Sequence, residues 1–243
     1  MSRKINPLFV VYQWLIAFPV LLVLTILTAL ATTVLSPMLP NSQLSYFPAR
    51  WWGRVFCRIL FVRVRIKGLE NLDMKQSCIV AINHQSIFDI FVVYGWLPSI
   101  FKWIMKAELR KIPLVGKACA AAGHIFIDRS NPIAAKHSLA IAENQLKNGV
   151  SVVIFPEGTR TKTGEMGKFK KGAFRIAADL ELPIVPVTLN ASFDRITRKT
   201  FLVSPGIIEM IIHKPIDVRP FITDKLHELA DVTKENIQKD LKI

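Results

Sequence analysis

Cysteine is scarce in this chain of 243 residues, and its three examples, Cys57, Cys78 and Cys119, lie far apart. No two of them have the C-x-x-C spacing that zinc sites and redox motifs use. The pattern argues against a disulfide framework and a structural zinc site, and it fits a reducing compartment. His84 has no metal-ligand spacing with the other four histidines, His124, His137, His213 and His227, so no metal site is expected.

Acidic residues are also few. The chain has 18 Asp and Glu against 32 Lys and Arg, a net charge of +14, while 51% of its residues are hydrophobic. Such an apolar content excludes disorder as the main state. A partner with apolar and anionic parts is indicated, either an anionic membrane or nucleic acid. No helix-turn-helix, zinc-finger or aromatic-interleaved basic motif occurs, so nucleic acid is not the expected partner.

Charged residues and histidine are missing altogether from residues 5–49. As a helix, residues 8–36 would extend about 43 Å, more than the roughly 30 Å of a bilayer core. Pro19 is expected to kink this helix, and residues 20–35 alone would reach only about 24 Å. The segment is therefore predicted to be embedded in a membrane, without deciding whether it crosses. A cleaved signal peptide is the disfavoured alternative, since the apolar run is too long for one.

The following residues, 42–61, predict a second helix of mixed character. Arg50, Arg54 and Arg58 recur every four positions and form one stripe, while aromatic and aliphatic residues cover much of the rest. A basic, aromatic amphipathic helix suits the headgroup plane of a membrane. The alternative is an ordinary helix that faces a protein core.

These patterns predict a two-part chain. Residues 1–60 would form a membrane-anchoring two-helix segment, and residues 61–243 an α/β domain. Cations are more numerous after the apolar run than before it, where only Arg3 and Lys4 occur. Positive charge favours the cytoplasmic side, so the domain is expected on the cytoplasmic face of the inner cell membrane.

Strand and helix patterns alternate through the second part. Strands are predicted at residues 61–67, 77–82, 124–127, 151–155, 184–189 and 207–212. Helices are predicted at residues 87–96, 107–111, 131–147, 171–180 and 224–239. The helix at residues 131–147 would begin with the cap Asn131 and Pro132, and the helix at residues 224–239 would be capped by Thr223. The alternation predicts a largely parallel mixed sheet flanked by helices.

Polar residues follow three of the predicted strands, at residues 83–89, 128–129 and 156–160. In parallel α/β sheets, ligands gather outside the carboxyl ends of the strands. Three loops from distant parts of the chain are therefore expected to meet at one edge of the sheet.

His84 and Asp89 carry the chemistry of the first loop. On one helix, residues five apart point away from each other. Ser86, however, is a good helix cap with Asp89 three residues later, so the loop can fold back and let Asp89 accept a bond from the imidazole. The other ring nitrogen would then be a general base. The alternative is that Asp89 only caps the helix and His84 is a loop histidine.

The loop at residues 156–160 combines a glycine, a carboxylate and an arginine. Gly158 permits close backbone approach to a ligand. Arg160 offers a planar fork that matches phosphate oxygens. Glu157 would accept bonds from substrate hydroxyls or hold Arg160. A solvated basic loop is the alternative reading.

Four blocks carry a resemblance to a known family: NHQSIFD, GHIFIDR, FPEGTR and IVPVTLN, within about residues 60–200. In order and approximate spacing they are similar to those of the glycerolipid acyltransferases, above all the bacterial 1-acylglycerol-3-phosphate acyltransferases. The resemblance implies acyl transfer from a thioester, acyl-CoA or acyl-ACP (acyl carrier protein), to the free sn-2 hydroxyl of lysophosphatidic acid, with phosphatidic acid as product and no further cofactor. Membrane lipids would be the other partner.

The resemblance also implies roles for single residues. His84 would deprotonate the glycerol hydroxyl, and Asp89 would orient His84 and stabilise its imidazolium form. Lys106 and backbone N–H groups near Gly158 are candidates for stabilising the oxyanion. The glycerol phosphate would be bound by Glu157, Gly158, Thr159 and Arg160, with Arg129 assisting. The fourth block would line an acyl groove or build the sheet.

Two other functions stay open at this point. One is the same chemistry on another acceptor, such as glycerol-3-phosphate, a lysophospholipid or an acylated amino lipid. The other is a non-catalytic membrane protein that binds anionic lipids.

Overall fold

The structure, a computed structural model, describes residues 6–128, 146, 149–196, 202–222 and 225–242. Arg129, the predicted helix at residues 131–147 and the predicted cap Thr223 lie outside the described residues.

The described residues form a seven-stranded sheet in the order β1-β7-β6-β2-β5-β3-β4. The strands are β1 (Val62–Lys67), β2 (Ile79–Ile82), β3 (Phe101–Lys106), β4 (Ile125–Ile127), β5 (Ser151–Ile154), β6 (Ile184–Asn190) and β7 (Gly206–Ile212). Neighbours are parallel except β6 and β7, which are antiparallel. The predicted largely parallel mixed sheet is therefore confirmed, with β1 and β7 running against the other strands.

Helices accompany the sheet: α1 (Pro7–Tyr12), α2 (Phe18–Met38), α3 (Gln43–Ile59), α4 (Phe88–Trp96), α5 (Val115–Ala121), α6 (Lys171–Asp179) and α7 (Leu226–Lys239). The predicted strands, and the predicted helices that fall on described residues, occur within about two residues of their expected bounds, residues 107–111 as a 3-10 helix. Two elements were missed. The strand β3 was overlooked because its two lysines interrupt the apolar pattern, although one of them, Lys102, is buried. The helix α5 was overlooked because its sequence is short and rich in alanine.

The core is centred on the middle strands. Every residue of β2, β5 and β6 is buried, as continuous apolar runs in a parallel sheet require. Of the two roles considered for the fourth block, building the sheet is the one observed, since the block lies in β6.

The N-terminal apolar segment forms a nearly continuous helix. Residues Pro7–Met38 make the helix in the described chain that is long and apolar enough to cross a membrane by length and composition, with 22% of its most apolar stretch buried. The irregularity expected at Pro19 is present as a π-helical turn at Gln13–Ala17. Proline has no N–H for the carbonyl one turn earlier, which accounts for a change of hydrogen-bond pattern at this point.

Gln13 ties this helix to the sheet. Its buried amide donates to the Val203 carbonyl at 3.0 Å and accepts from the Val203 N–H at 2.7 Å. The Tyr12 hydroxyl donates to the Ile59 carbonyl at 3.1 Å. Because the amide nitrogen donates to one backbone group and the amide oxygen accepts from another, the pair of bonds fixes both the position and the orientation of the Gln13 side chain.

The helix α3 packs against α4, and its arginines serve that contact. The Phe56 ring stacks on Phe91 at 3.5 Å. Arg54 donates to the Gly95 carbonyl at 2.6 Å, and Arg50 donates to the Pro98 carbonyl at 2.7 Å. The last carbonyls of a helix lack partners within it, and arginine satisfies them. The stripe expected to face headgroups is therefore used in part as a cap for α4, as in the alternative of a core-facing helix, while Arg58 stays exposed.

Candidate active site

Two of the three polar loops meet as predicted. β2 and β5 are parallel neighbours, so the loops that follow them, residues 83–89 and 156–160, leave the sheet side by side. The third loop, at residues 128–129, follows β4, two strands beyond β5. Its Asp128 is described, but Arg129 lies outside the described residues, so its position relative to the site stays a prediction.

Asp89 holds the first loop in a folded-back shape. Its side chain is fully buried, and its Oδ2 accepts from the N–H groups of Gln85 at 2.7 Å and Ser86 at 2.8 Å. The Ser86 hydroxyl accepts from the Phe88 N–H at 3.0 Å. This is the expected helix-start arrangement, in which a carboxylate in the first turn bonds back to the preceding N–H groups.

The fold-back brings His84 to the same carboxylate oxygen. Its Nδ1 lies 2.8 Å from Asp89 Oδ2. Because an ionised carboxylate only accepts, Nδ1 carries the proton and Nε2 has the free lone pair. Nε2 has no hydrogen-bond partner among the described residues, and His84 lines a large cavity. The imidazole stacks on Phe155 at 3.8 Å with an interplanar angle of 9°. The ring is thereby fixed in its plane as well as in its tautomer.

The second loop holds the backbone of His84. The Glu157 Oε1 accepts from the His84 N–H at 2.7 Å, and the Thr161 N–H donates to the His84 carbonyl at 2.9 Å. The Glu157 Oε2 accepts from the Gly167 N–H at 2.7 Å. Burial raises the pKa of Glu157, while its bonds from the His84 and Gly167 N–H groups act in the opposite direction. Both carboxylate oxygens are therefore engaged with the protein backbone, and neither holds Arg160.

Gly158 shows why glycine stands in this loop. Its φ is +73°, a left-handed conformation that side chains rarely adopt. Its N–H donates to the Phe155 carbonyl at 2.9 Å, closing a tight turn. This amide is therefore engaged within the turn, and the expectation that N–H groups near Gly158 stabilise an oxyanion stays a prediction.

Cations gather at the same edge of the sheet. Lys106, Thr159 and Arg160 line the cavity together with His84 and Gly158. Arg160 is exposed and forms no ion pair with a described carboxylate. Lys106 ends β3, and its Nζ pairs with Glu108 at 2.7 Å on the surface. An exposed ion pair of this kind is worth little, so Lys106 can exchange Glu108 for another anion at small cost.

The cavity that these residues border has a volume of about 1230 Å³. Small-molecule pockets typically occupy about 300–1,000 Å³, so this one has room for a large ligand. Its walls are mainly apolar and come from α2, α3, α4, β3 and α5, with Ala29, Trp52, Ile90, Ile104 and Ala118 among the lining residues. A polar edge that contains His84 thus adjoins a mainly apolar cavity.

A second histidine lies on the wall of this cavity and was missed by the sequence reasoning. His124 Nε2 lies 2.7 Å from the Tyr94 hydroxyl, and its Nδ1 accepts from the Trp103 N–H at 3.3 Å. Burial, helped by nearby Lys102, lowers the pKa of His124 to about 3. Burial also lowers the pKa of Lys102 to about 8, and its Nζ donates to the Ala122 carbonyl at 2.6 Å.

Asn83 is a further residue whose role the sequence reasoning missed. Its side chain donates to the Leu189 carbonyl at 2.9 Å and accepts from the Leu189 N–H at 2.7 Å. This pair of hydrogen bonds fixes the start of the loop at residues 83–89 to β6. The sequence signal that could have revealed this role is the position of Asn83 directly after a buried strand.

Among the described residues, no group of three or more His, Cys, Asp or Glu side chains could hold a metal ion.

The described α/β sheet carries a carboxylate-paired histidine at its strand ends, beside cations and a mainly apolar cavity. The chain belongs to the acyltransferase family, whose model matches residues 63–190.

Two curated relatives of this chain are named as 1-acyl-sn-glycerol-3-phosphate acyltransferases. A chloroplastic 1-acyl-sn-glycerol-3-phosphate acyltransferase of Brassica napus is 37% identical over 173 residues, which cover 70% of this chain and 50% of that protein. The chain thus spans about half the length of this relative. The 1-acyl-sn-glycerol-3-phosphate acyltransferase of Pseudomonas aeruginosa is 34% identical over 183 residues, 73% of this chain and 70% of that protein.

A solved structure is similar over nearly the whole chain. The crystal structure of the 1-acyl-sn-glycerophosphate acyltransferase PlsC from Thermotoga maritima superimposes with a TM-score of 0.71 and 27% sequence identity. The match covers 88% of this chain and 92% of that one.

Proposed function

We propose that this protein transfers a fatty acyl group from a thioester, acyl-CoA or acyl-ACP, to the free sn-2 hydroxyl of 1-acylglycerol-3-phosphate, which gives phosphatidic acid. The observation that carries the proposal is the 2.8 Å pair of His84 Nδ1 and Asp89 Oδ2, which leaves Nε2 unpartnered among the described residues of the cavity wall. The names of the similar proteins support the choice of acceptor.

The reaction needs one base that later acts as an acid. His84 Nε2 takes the proton of the glycerol hydroxyl as its oxygen attacks the thioester carbonyl. The carbon–oxygen bond forms, the carbonyl becomes an oxyanion, and the carbon–sulfur bond then breaks. The imidazolium returns its proton to the leaving thiolate, so an ester and a free thiol result. Asp89 stabilises the imidazolium, and its buried Oδ1, which has no hydrogen-bond partner in the described chain, adds to the negative potential there.

Roles follow for the neighbouring residues. Lys106 and backbone N–H groups near Gly158 are the candidates for stabilising the oxyanion, although Gly158 uses its own N–H within the turn. Arg160 and Thr159 bind the phosphate of the acceptor, and Arg129 assists by the family resemblance. Glu157, which the sequence placed among the substrate-binding residues, acts instead by positioning His84. The apolar chamber takes acyl chains.

The N-terminal helices place the enzyme at its substrate. Residues 1–60 anchor the chain, and residues 61–243 form the catalytic domain on the cytoplasmic face of the cell membrane. The exposed apolar side chains of α2, including Leu22, Leu27 and Leu30, support this placement. A lysophospholipid acceptor resides in the same membrane.

A thiol-release assay on the purified full chain tests the proposal. Acyl-CoA and acyl-ACP are each offered with 1-acylglycerol-3-phosphate, glycerol-3-phosphate, a neutral lysophospholipid and no acceptor. We expect rapid thiol release with 1-acylglycerol-3-phosphate and mass-spectrometric detection of phosphatidic acid. Release that depends equally on another acceptor reassigns the substrate. No release with any acceptor, from a folded protein that binds anionic vesicles, leaves the non-catalytic lipid-binding function.

The phosphate role is tested with two matched arginine variants. Arg160→Ala should raise the KM for the phosphorylated acceptor about 10- to 100-fold, because a charge-assisted hydrogen bond contributes about 1.5–3 kcal/mol. Arg63→Ala, on the exposed face of β1, removes the same charge far from the cavity and should leave this KM unchanged. An unchanged KM in Arg160→Ala would remove the phosphate role.

A further inference from the structure

The segment between β3 and α5 exposes apolar side chains to solvent, which is unfavourable for them. Residues 107–114, hereafter the β3–α5 segment, consist of the 3-10 helix Ala107–Lys111 and a turn. Leu109, Ile112 and Leu114 are 43%, 43% and 40% exposed. Single exposed apolar residues are ordinary, but three within six positions form a patch that calls for a partner.

Cations surround this patch. Lys106, Arg110, Lys111 and Lys117 are exposed, against the two carboxylates of Glu108 and nearby Asp128. Apolar side chains flanked by lysine and arginine are typical of elements that lie at an anionic lipid surface. A protein partner would be expected to match these cations with carboxylates around an apolar contact of its own, whereas a bilayer offers both parts over any area.

The backbone holds the patch outward at a cost. Leu114 has a φ of +60°, a region that leucine rarely adopts. The Gly116 N–H donates to the Ile112 carbonyl at 2.8 Å, and a side chain at Gly116 would collide with the Arg110 carbonyl. The segment is therefore fixed to the start of α5, and its apolar side chains cannot easily turn inward.

The position of the segment connects it with both the cavity and the N-terminal helix. β3 is parallel to β5, so the segment leaves the sheet at the same edge as the loop of Glu157. Leu109 and Ile112 line the mouth of the cavity, and α5 packs against α2. The patch thus continues the exposed apolar side of α2 toward the catalytic edge.

We propose that the β3–α5 segment is a second lipid-contacting element, separate from the N-terminal helices. Leu109, Ile112 and Leu114 enter the boundary between headgroups and acyl chains of an anionic leaflet, and the basic neighbours bind the headgroups. The cavity mouth then opens directly into the bilayer, and an acylated acceptor reaches His84 without passing through water. The inference rests on the proposed function for its catalytic consequence.

Leu114 offers the sharpest variant, because it is exposed and does not line the cavity. Leu69 is its matched control. It is 45% exposed and follows β1, which runs against β3, so it lies at the opposite edge of the sheet. Leu114→Glu and Leu69→Glu thus introduce the same charge at similarly exposed leucines on opposite edges.

Each variant is assayed with two acceptors. One is long-chain 1-acylglycerol-3-phosphate in vesicles of equal parts phosphatidylcholine and phosphatidylglycerol; the other is a short-chain acceptor kept below its critical micelle concentration. We expect Leu114→Glu to lose about tenfold in kcat/KM on vesicles, the effect of withdrawing one buried leucine. It should keep its activity on the monomeric acceptor, and Leu69→Glu should keep both. Undiminished vesicle activity in Leu114→Glu, or an equal loss on both acceptors, would overturn the proposal.

A direct probe separates this inference from the proposed function. An environment-sensitive dye is attached to Leu114→Cys in a chain that also carries Cys119→Ser, since Cys57 and Cys78 are buried. The dye should shift to the blue on addition of the same vesicles, whether or not the protein turns over substrate. No shift on vesicles, or a shift that follows protein concentration in their absence, would overturn lipid contact and in the second case indicate contact between copies of this chain.

Discussion

The two described histidines that line the cavity, His84 and His124, lie in opposite environments. His84 donates one ring proton to a buried carboxylate and keeps its second nitrogen without a partner in the described chain. His124 has both nitrogens engaged, by the Tyr94 hydroxyl and the Trp103 N–H, and lies near a lysine.

The difference shows what makes a histidine fit for proton transfer. A base needs one fixed nitrogen, one free nitrogen and a neighbour that tolerates the positive form. His84 has all three. His124 has no free nitrogen, since both of its ring nitrogens are engaged. It also lacks a neighbour that tolerates the positive form, because burial and Lys102 both disfavour its charged form. Burial of a histidine in a cavity wall is thus no sign of catalysis by itself.

The largest expected effect is the loss of the base. His84→Ala should lower kcat about 100- to 10,000-fold while the chain remains folded, since general bases contribute factors of this size. His227→Ala, an exposed histidine on α7, is the matched control and should retain normal turnover. Thiol release measures both. Near-normal turnover in His84→Ala would contradict the role of His84 as the base and remove the functional difference between His84 and His124.

The next effect concerns the carboxylate. Asp89→Asn keeps an oxygen for the N–H groups of Gln85 and Ser86 but removes the negative charge beside the imidazole. We expect kcat to fall about 100-fold or more, with little change in the acceptor KM, because the wrong tautomer and an unstabilised imidazolium affect the transition state. A raised KM with unchanged kcat would show that Asp89 does not act through His84.

Glu157 should give a smaller effect of a distinct kind. In Glu157→Gln, the amide nitrogen faces a backbone N–H of either His84 or Gly167, so one of the two bonds is lost. We expect about a tenfold lower kcat at an unchanged acceptor KM, the result of a displaced His84. The reverse pattern, a raised KM alone, would restore the sequence-based role in binding substrate.

Replacement of His124 should have the smallest effect on the chemistry. Its clearest effect should be on the pH dependence of stability. Its folded pKa is about 3 and its unfolded pKa about 6.5, so the unfolded chain binds the proton first as the pH falls. The stability tied to neutral His124 is complete above pH 6.5 and is lost progressively toward pH 3. At pH 4 the loss should be about 3 kcal/mol. His124→Gln should therefore lose less stability between pH 7 and pH 4 in urea titrations, and parallel pH profiles would contradict this.

Local rules made part of the site predictable. The helix-start pattern of Ser86 and Asp89 predicted the fold-back that brings Asp89 to His84, and adjacent parallel strands predicted the meeting of two loops. These features depend on short-range geometry and on sheet topology, which sequence patterns record well.

Other parts depend on tertiary contacts that no side-chain pattern records. Glu157 binds backbone N–H groups 73 residues before it and 10 residues after it, and any residue type could supply them. Arg50 and Arg54 likewise meet backbone carbonyls, of Pro98 just beyond α4 and of Gly95 within it, rather than partners visible in the sequence. The strand β3 was hidden because its Lys102 is buried, against the usual preference of lysine.

The two hydrogen bonds between the Gln13 amide and the main chain of Val203 have a mechanical consequence. They fasten the long apolar helix to the segment that precedes β7, 190 residues further along the chain. The helix therefore cannot separate from this segment without breaking both bonds and leaving a buried amide without partners, which costs more than the loss of an exposed contact.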